Sequence, residues 1–209
     1  YPVLAGHHEV EVEAGGVFAA IGIDVEPGLP HTLRTLYDGV VVVLSGATIQ
    51  LEVNATDLDG NDFGTDVIWF TPTDSVDIAN GTREGSYLLR GLRTGNHLLR
   101  FTSGLAEGEV FVTVEQGEPV QVELQIVDIA IRTGYQIDVE VRLYDFGGNR
   151  LSSNPEMVLL TSGAGTFVHD DGDHWRLHLD RSGEQQRVEV EYGTVGGEIF
   201  IDVEADPLY

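Results

Sequence analysis

The chain of 209 residues contains no cysteine and no lysine. Without cysteine there is no disulfide, no zinc–thiolate site and no thiol nucleophile. That absence does not fix the redox compartment. Positive charge is scarce: 11 arginines face 35 acids, for a formal net charge of -24. Phosphate backbones and anionic membrane surfaces repel such a chain, which excludes nucleic acid as a partner. The acids are spread along the sequence, as on a solvated surface and unlike a disordered acidic tail. An acidic, lysine-free surface suits a salt-rich setting or a genome that encodes arginine in place of lysine.

Long apolar runs are missing too. Val40–Leu44 is typical of those present, and a membrane helix needs about 20 apolar residues, so no transmembrane segment is expected. No signal-peptide pattern is visible, and numbering from Tyr1 is compatible with a removed leader. No segment carries convincing helical periodicity.

What is present is a repeat. Residues 45–63 (SGATIQLEVNATDLDGNDF) and 133–151 (TGYQIDVEVRLYDFGGNRL) align at an offset of 88, with Gly46/Gly134, Ile49/Ile137, Glu52/Glu140, Val53/Val141, Asp57/Asp145, Gly60/Gly148 and Asn61/Asn149 identical. A second echo, EVFVTVE (109–115) against EIFIDVE (198–204), comes at an offset of 89. Two matches in the same order define one structural unit present twice. The expected division is an N-terminal strand segment at 1–16, a first domain at 17–116 and a second at 117–209. The join Gln116-Gly117-Glu118-Pro119 is short and holds one proline, which predicts a limited range of orientations.

Within each copy the apolar residues alternate. Ile49, Leu51, Val53 and Ala55 share one face of a strand, and Gln50, Glu52 and Asn54 share the other. Such strands bury one face and wet the other. Asp59-Gly60-Asn61, Gly147-Gly148-Asn149 and Asp171-Gly172 supply turn residues between them. Short strands with frequent turns predict an all-β protein of two tandem immunoglobulin-like antiparallel β-sandwiches. Trp69 comes after the first repeated turn, whereas Trp175 lies on a later strand of its copy, so the two are not equivalent.

The copies differ at the front. Gly15 to Gly46 spans 31 residues, while Gly117 to Gly134 spans 17. The extra 14 residues are expected around 28–40 (GLPHTLRTLYDGV), as an added hairpin or a functional loop that carries Arg34 and Tyr37. At the N-terminus, Val12-Glu13-Ala14-Gly15 echoes Val114-Glu115-Gln116-Gly117. The segment His8–Ala14 (HEVEVEA) thus reads like a closing strand whose domain body is missing, with Val10 and Val12 on its apolar face. It is either an added edge strand of the first copy or a strand that pairs with another chain or domain.

Chemistry-bearing patterns resolve into structure. Asp57-Leu58-Asp59-Gly60-Asn61-Asp62 places oxygen ligands at alternate positions, as calcium requires. The loop lacks the glycine and glutamate of an EF-hand, since Asp62 and Ile68 stand there, and the second copy keeps the turn without the acids. A hairpin turn explains what the copies share. His169, His174 and His178 look metal-rich, but His174 and His178 lie about 13 Å apart on an extended strand at ~3.3 Å per residue. A solvated hairpin is the better reading. No serine has a nucleophile-elbow context, no glycine run opens a helix, and the acids are too abundant for any pair to be diagnostic. No metal, cofactor or catalytic residue is expected. Asn54-Ala55-Thr56 and Asn80-Gly81-Thr82 fit the glycosylation pattern, which is short enough to arise by chance.

Phe111 and Phe200 occupy one repeat position on the acidic side of their strands, and mark either a contact surface or rings covered by a neighbouring strand.

The run GATIQLEVNATDLDGN, then VIWFTPTDSVDIANG, then GLRTGNHLLRFTSGLAEGEVFVTVE resembles bacterial Ig-like repeats of invasin/intimin-type (Big-like) surface proteins. The resemblance covers about Gly22–Gln116, and in the second domain only the turn and the last strand. It implies exported, non-enzymatic domains at the cell surface or in the periplasm that act as spacers, adhesive modules or parts of a membrane-associated assembly. The expected function is a structural or interaction protein with a protein partner or self-assembly. The alternatives are a carbohydrate- or protein-binding adhesin module, or accessory domains of a larger exported enzyme.

Overall fold

The computed structural model describes residues 4–37, 39–71, 74–126 and 131–207. Among them every regular element is a strand except a single 3-10 turn at Pro155–Met157. The chain divides into two compact units, the first ending at Glu115 and the second beginning at Gln116.

The first unit opens with an antiparallel hairpin, β1 (Gly6–Ala14) and β2 (Val17–Val25). A sandwich comes next, made of β3 (Thr32–Thr35), β4 (Val40–Leu44), β5 (Thr48–Thr56), β6 (Asp62–Gly64), β7 (Ile68–Phe70), β8 (Val76–Asn80), β9 (Ser86–Gly91), β10 (Gly95–Ser103) and β11 (Ala106–Glu115). One sheet has the order β3-β5-β9-β8, with β6 also on β5, and the other β4-β11-β10-β7. All pairings are antiparallel except β4 with β11. A first strand split between two sheets, together with this order, is the immunoglobulin-like arrangement.

Alternation sets the faces. Along β5, Leu51, Val53 and Ala55 are fully buried, and along β11, Val110, Val112 and Val114 are buried. These residues meet Leu89 and Tyr87 of β9 and Leu99 and Phe101 of β10 in one core. Trp69 packs edge-on to Tyr87 at 5.3 Å and tilted against Phe101 at 4.8 Å between ring centroids. A Cβ on Gly108 would stand 2.4 Å from the Phe101 ring, so the ring fills the space that glycine leaves open.

The second unit holds β12 (Pro119–Ile126), β13 (Gln136–Asp145), β14 (Arg150–Leu151), β15 (Val158–Ser162), β16 (Gly165–Asp171), β17 (His174–Leu179), β18 (Gly183–Tyr192) and β19 (Val195–Val203). Its sheets run β12-β13-β17-β16, with β14 on β13, and β15-β18-β19. Arg132 forms a parallel bridge with Glu204, as Leu44 does with Glu115. Trp175 lies on β17 opposite Val139, where Tyr87 lies opposite Leu51 in the first unit. It replaces Tyr87 and not Trp69, which is why the two tryptophans fall at different places in the repeat.

The registers correct two expectations. β3 pairs with β5 as β12 pairs with β13: Leu33 faces Ala55 and Val122 faces Leu143, at equivalent places. Residues 28–40 therefore contain the first strand of the sandwich and not an added hairpin. The surplus residues are the N-terminal hairpin itself, which extends to Val25 and past the strand segment expected at 1–16. Likewise His8–Ala14 does not correspond to a closing strand. Gly6↔Val25 and Ala14↔Val17 become Gly95↔Val114 and Ser103↔Ala106 on a shift of 89 residues (6 to 95), so β1 matches the penultimate strand β10 and β2 the closing strand β11.

The ring stack yields a prediction. Phe101→Ala is expected to cost the first domain about 3–5 kcal/mol and to leave the second unchanged. Denaturant unfolding followed by Trp69 fluorescence in a Trp175→Phe background, and by Trp175 in a Trp69→Phe background, checks it. A loss shared equally by both probes contradicts independent cores.

Candidate interaction surface

The residues that the two copies share build loops. Asp57 is buried, and its Oδ1 accepts from the backbone N–H groups of Asp59 (3.0 Å) and Asn61 (2.9 Å). Its Oδ2 accepts from Asn61 Nδ2 and from the N–H of Gly28, both at 2.8 Å. Asp145 repeats the set: Oδ1 accepts from Gly147 N (3.0 Å) and Asn149 N (2.9 Å), and Oδ2 from Gly117 N (3.1 Å). Each aspartate thus ties the β5–β6 or β13–β14 turn to the place where the chain enters its domain. The donors are all N–H groups, which commits both carboxylate oxygens to the loop. This accounts for the Asp57–Asp62 sequence as a closed turn. Among the described residues no group of three or more His, Asp or Glu is arranged to hold a metal ion.

The hydrogen bond from Asn61, then those from Gly28 and the Asn61 backbone, lower the Asp57 carboxyl to about 2. In the second domain the buried Glu140 accepts from Arg142 and Arg150, each at 2.6 Å, and Arg142 foremost holds it below the usual carboxylate range. Asp173 accepts from Ser153 Oγ at 2.6 Å and pairs with Arg150 at 3.3 Å. Burial works against its ionisation, and these bonds outweigh it to leave Asp173 lowered. The equivalent Glu52 pairs with Arg83 instead. Asp57, Glu140 and Asp173 are thus held in the ionised form by their hydrogen-bond and ion-pair partners. These three are the opposite of the raised-pKa carboxyls that general acid catalysis uses.

The histidines are dispersed. His169 packs tilted against Trp175 at 4.6 Å between centroids, His178 lies 3.5 Å from Asp180, and His174 is directly opposite Glu140 in the ladder. His7 pairs with Asp24 across the N-terminal hairpin at 2.6 Å. Asn54 of the first glycosylation pattern lies within a sheet, between Arg34 and Gly64.

Phe111 and Phe200 are both about half exposed (53% and 52%), so no neighbouring element covers either ring. Phe111 lies in a row across three strands, with Leu98 of β10 on one side and Val40 of β4 on the other. Val42 and Phe70 are exposed on the same sheet, so apolar side chains stand on its outer face among Arg100, Glu109 and Thr113. Phe200 faces Arg187, whose guanidinium pairs with Glu198 at 2.5 Å and Glu189 at 2.9 Å, so its surround is ionic. Arg34 and Tyr37 are not brought to that face: Arg34 pairs with Asp62 at 2.6 Å and the Tyr37 hydroxyl donates to the Gln50 carbonyl at 2.9 Å. Val10 and Val12 lie on the N-terminal hairpin, and both are exposed. Sequence reasoning missed Val40 and Val42 because outward and inward residues of β4 are chemically alike, and Phe70 because β7 (Ile-Trp-Phe) is too short and uniformly apolar to show its faces.

The aspartate turn gives a second prediction. A folded carboxyl lowered to about 2, against about 3.9 for an unperturbed aspartate, stabilises the domain fully above the unfolded value. That contribution is lost as pH falls through the folded value. Asp57→Asn is expected to lower the first domain's unfolding midpoint at neutral pH and to flatten its acid dependence between about pH 4 and about pH 2. Urea midpoints measured across that range check it, and a variant with the parent's full acid slope contradicts the assignment.

No protein-family model matches the sequence, and no curated protein matches it. Among solved structures, the chain is similar to the Escherichia coli adhesin FdeC, at 17% identity and a TM-score of 0.50, covering 95% of this chain and 74% of that one. It is also similar to domains 4–9 of the surface-layer protein SbsC, at 21% identity and a TM-score of 0.38, covering 97% of this chain but 36% of that one. A further similarity is to the endo-fucoidan hydrolase MfFcnA4 of glycoside hydrolase family 107, at 15% identity and a TM-score of 0.34, with 34% of that chain covered. The chain spans about a third of the length of these last two. At 17% identity the likeness to FdeC establishes the fold alone, an all-β immunoglobulin-like architecture.

Proposed function

We propose that this chain is a non-enzymatic structural and interaction module of the cell exterior or periplasm, of the bacterial Ig-like type, that serves a surface assembly through protein contact. One observation carries the reading: what the two copies share goes into building the sandwich. The aspartate turns, the alternating strands and the hairpin registers repeat, and the buried acids that do not repeat in full are paired with arginine. An enzyme would need a polar group held in reserve. The likenesses to an adhesin and to surface-layer domains support the same reading at the level of fold.

The contact face is the outer side of the β4-β11-β10-β7 sheet, centred on Phe111, with Phe200 marking the equivalent place in the second domain. Aromatic residues at such places commonly anchor protein interfaces. The charge of -24 opposes self-association until salt screens it, with a Debye length of about 3 Å at 1 M. The chain is expected to associate at molar salt, and Phe111→Asp combined with Phe200→Asp to weaken that association about tenfold or more, a truncated anchor costing about 2 kcal/mol. Static light scattering against salt reads the effect, with both unfolding transitions unchanged as the control. Association at the parent's level in the double variant would sink the assignment of this face.

A further inference from the structure

The N-terminal hairpin has a counterpart in each sandwich. The shift of 89 that carries β1–β2 onto β10–β11 also carries Ser103↔Ala106 onto Tyr192↔Val195 and Leu98↔Phe111 onto Arg187↔Phe200. The turn glycines Gly15, Gly104 and Gly193 have φ of 61°, 59° and 61°, the left-handed conformation that suits glycine. In both sandwiches this hairpin closes the core. Leu99, Phe101, Ala106, Val110, Val112 and Val114 supply it in the first domain, and Val188, Val190, Val195, Ile199, Ile201 and Val203 in the second.

The equivalent residues of the N-terminal hairpin are Val10, Val12, Val17, Ile21, Ile23 and Val25. These six match the second domain's closing hairpin residue for residue: Val, Val, Val, Ile, Ile, Val. Glu11 and Glu13 match Glu189 and Glu191 on the other face. Yet Val10, Val12, Val17, Ile21 and Ile23 are all exposed, and among the described residues neither β1 nor β2 is hydrogen-bonded to any other strand. Two strands alone are marginal in water. Covering such side chains removes apolar surface from water and so favours docking on a sandwich body.

The exit is repeated as well. Glu26-Pro27-Gly28-Leu29-Pro30 leads from β2 into the first sandwich, as Glu115-Gln116-Gly117-Glu118-Pro119 leads from β11 into the second. Gly28 and Gly117 donate to Asp57 and Asp145 in the same way.

We propose that Gly6–Val25 is the closing hairpin of a further Ig-like sandwich, and that its apolar face docks on the body of a repeat resembling the second domain that lies N-terminal to it in the same polypeptide. A second copy of this chain offers no vacancy, because β10–β11 and β18–β19 already close its two bodies. The fit favours a body like the second domain's. The first domain places Leu99 and Phe101 where the hairpin has only Val10 and Val12, and Phe101 is what fills the space beside Trp69. This inference rests on the repeat architecture of the proposed function and concerns a different surface from the Phe111 face. Its test is separate: it reads domain closure, whereas the aspartate variants of Phe111 and Phe200 read association.

The experiment grafts a copy of residues 117–183 directly ahead of Gly6 in the full chain. A third cooperative unfolding transition is expected in calorimetry, and Val12→Asp is expected to abolish it while the two resident transitions stay. The reciprocal exchange, residues 6–25 in place of 184–203, guards against a graft that misfolds for its own reasons: the second domain is expected to keep cooperative unfolding and a buried Trp175. A graft with no third transition, together with an exchanged chain whose second domain no longer unfolds cooperatively, overturns the proposal. It is equally overturned if the unmodified chain sediments as a dimer that Val12→Asp dissociates, because the face is then covered by a second copy.

Discussion

Each sandwich depends on a hairpin that brings apolar side chains from two adjacent strands into the middle of its core. In the first domain, Leu99, Phe101, Val110 and Val112 come from β10 and β11 and meet Leu51, Val53, Tyr87 and Leu89 of the opposing sheet. The hairpin is local in sequence and β9 ends just before it, but Leu51 and Val53 lie far upstream on β5. Loop-closure entropy is therefore lost before those contacts form. The same geometry fixes the parallel strand β4, which among the described residues pairs with β11 alone at the edge of its sheet. The hairpin thus sets the edge of one sheet, the depth of the core and the point at which the chain leaves its domain.

Charge constrains the rest. With 35 acids and 11 arginines, a sandwich can bury a carboxylate only where donors are fixed in advance. Asp57 and Asp145 use backbone N–H groups of a tight turn, and Glu140 uses two arginines. Both solutions meet the requirement that a buried charge be paired or hydrogen-bonded. The aspartate solution also fixes position, because Gly28 and Gly117 are held at the entry to each domain.

Much of this is legible in the residues. The period-two alternation of Ile49–Ala55 and of Val110, Val112 and Val114 gives the strands and their buried faces, and the shared Asp57/Asp145, Gly60/Gly148 and Asn61/Asn149 give the turn. The aspartate's tie to Gly28 is not legible, since nothing in a one-dimensional pattern marks a hydrogen bond across that separation. The placement of surplus residues at 28–40 fails for a physical reason. β3 is a short strand with one deeply placed residue, Leu33, and four residues are too few for alternation to stand out against a loop. The N-terminal hairpin is half visible. HEVEVEA alternates cleanly, but Val17-Phe18-Ala19-Ala20-Ile21 does not, and only the ladder reveals it as the partner strand. The exposed apolar face around Phe111 is visible only at that ring, because Val40 and Val42 belong to a continuous valine run in which inside and outside look the same.

Three hairpins of one register, two on sandwich bodies and one without, make the account directly measurable. Native-state hydrogen exchange on the unmodified chain, under conditions where it sediments as a monomer, compares equivalent amides in all three. If the sandwich body is what stabilises the hairpin, the β10–β11 and β18–β19 amides exchange only through global unfolding of their domains, and those of β1–β2 exchange orders of magnitude faster. Protection of the β1–β2 amides equal to that of β10–β11 in the monomer would contradict the account, since the hairpin would then be stable without a core to close.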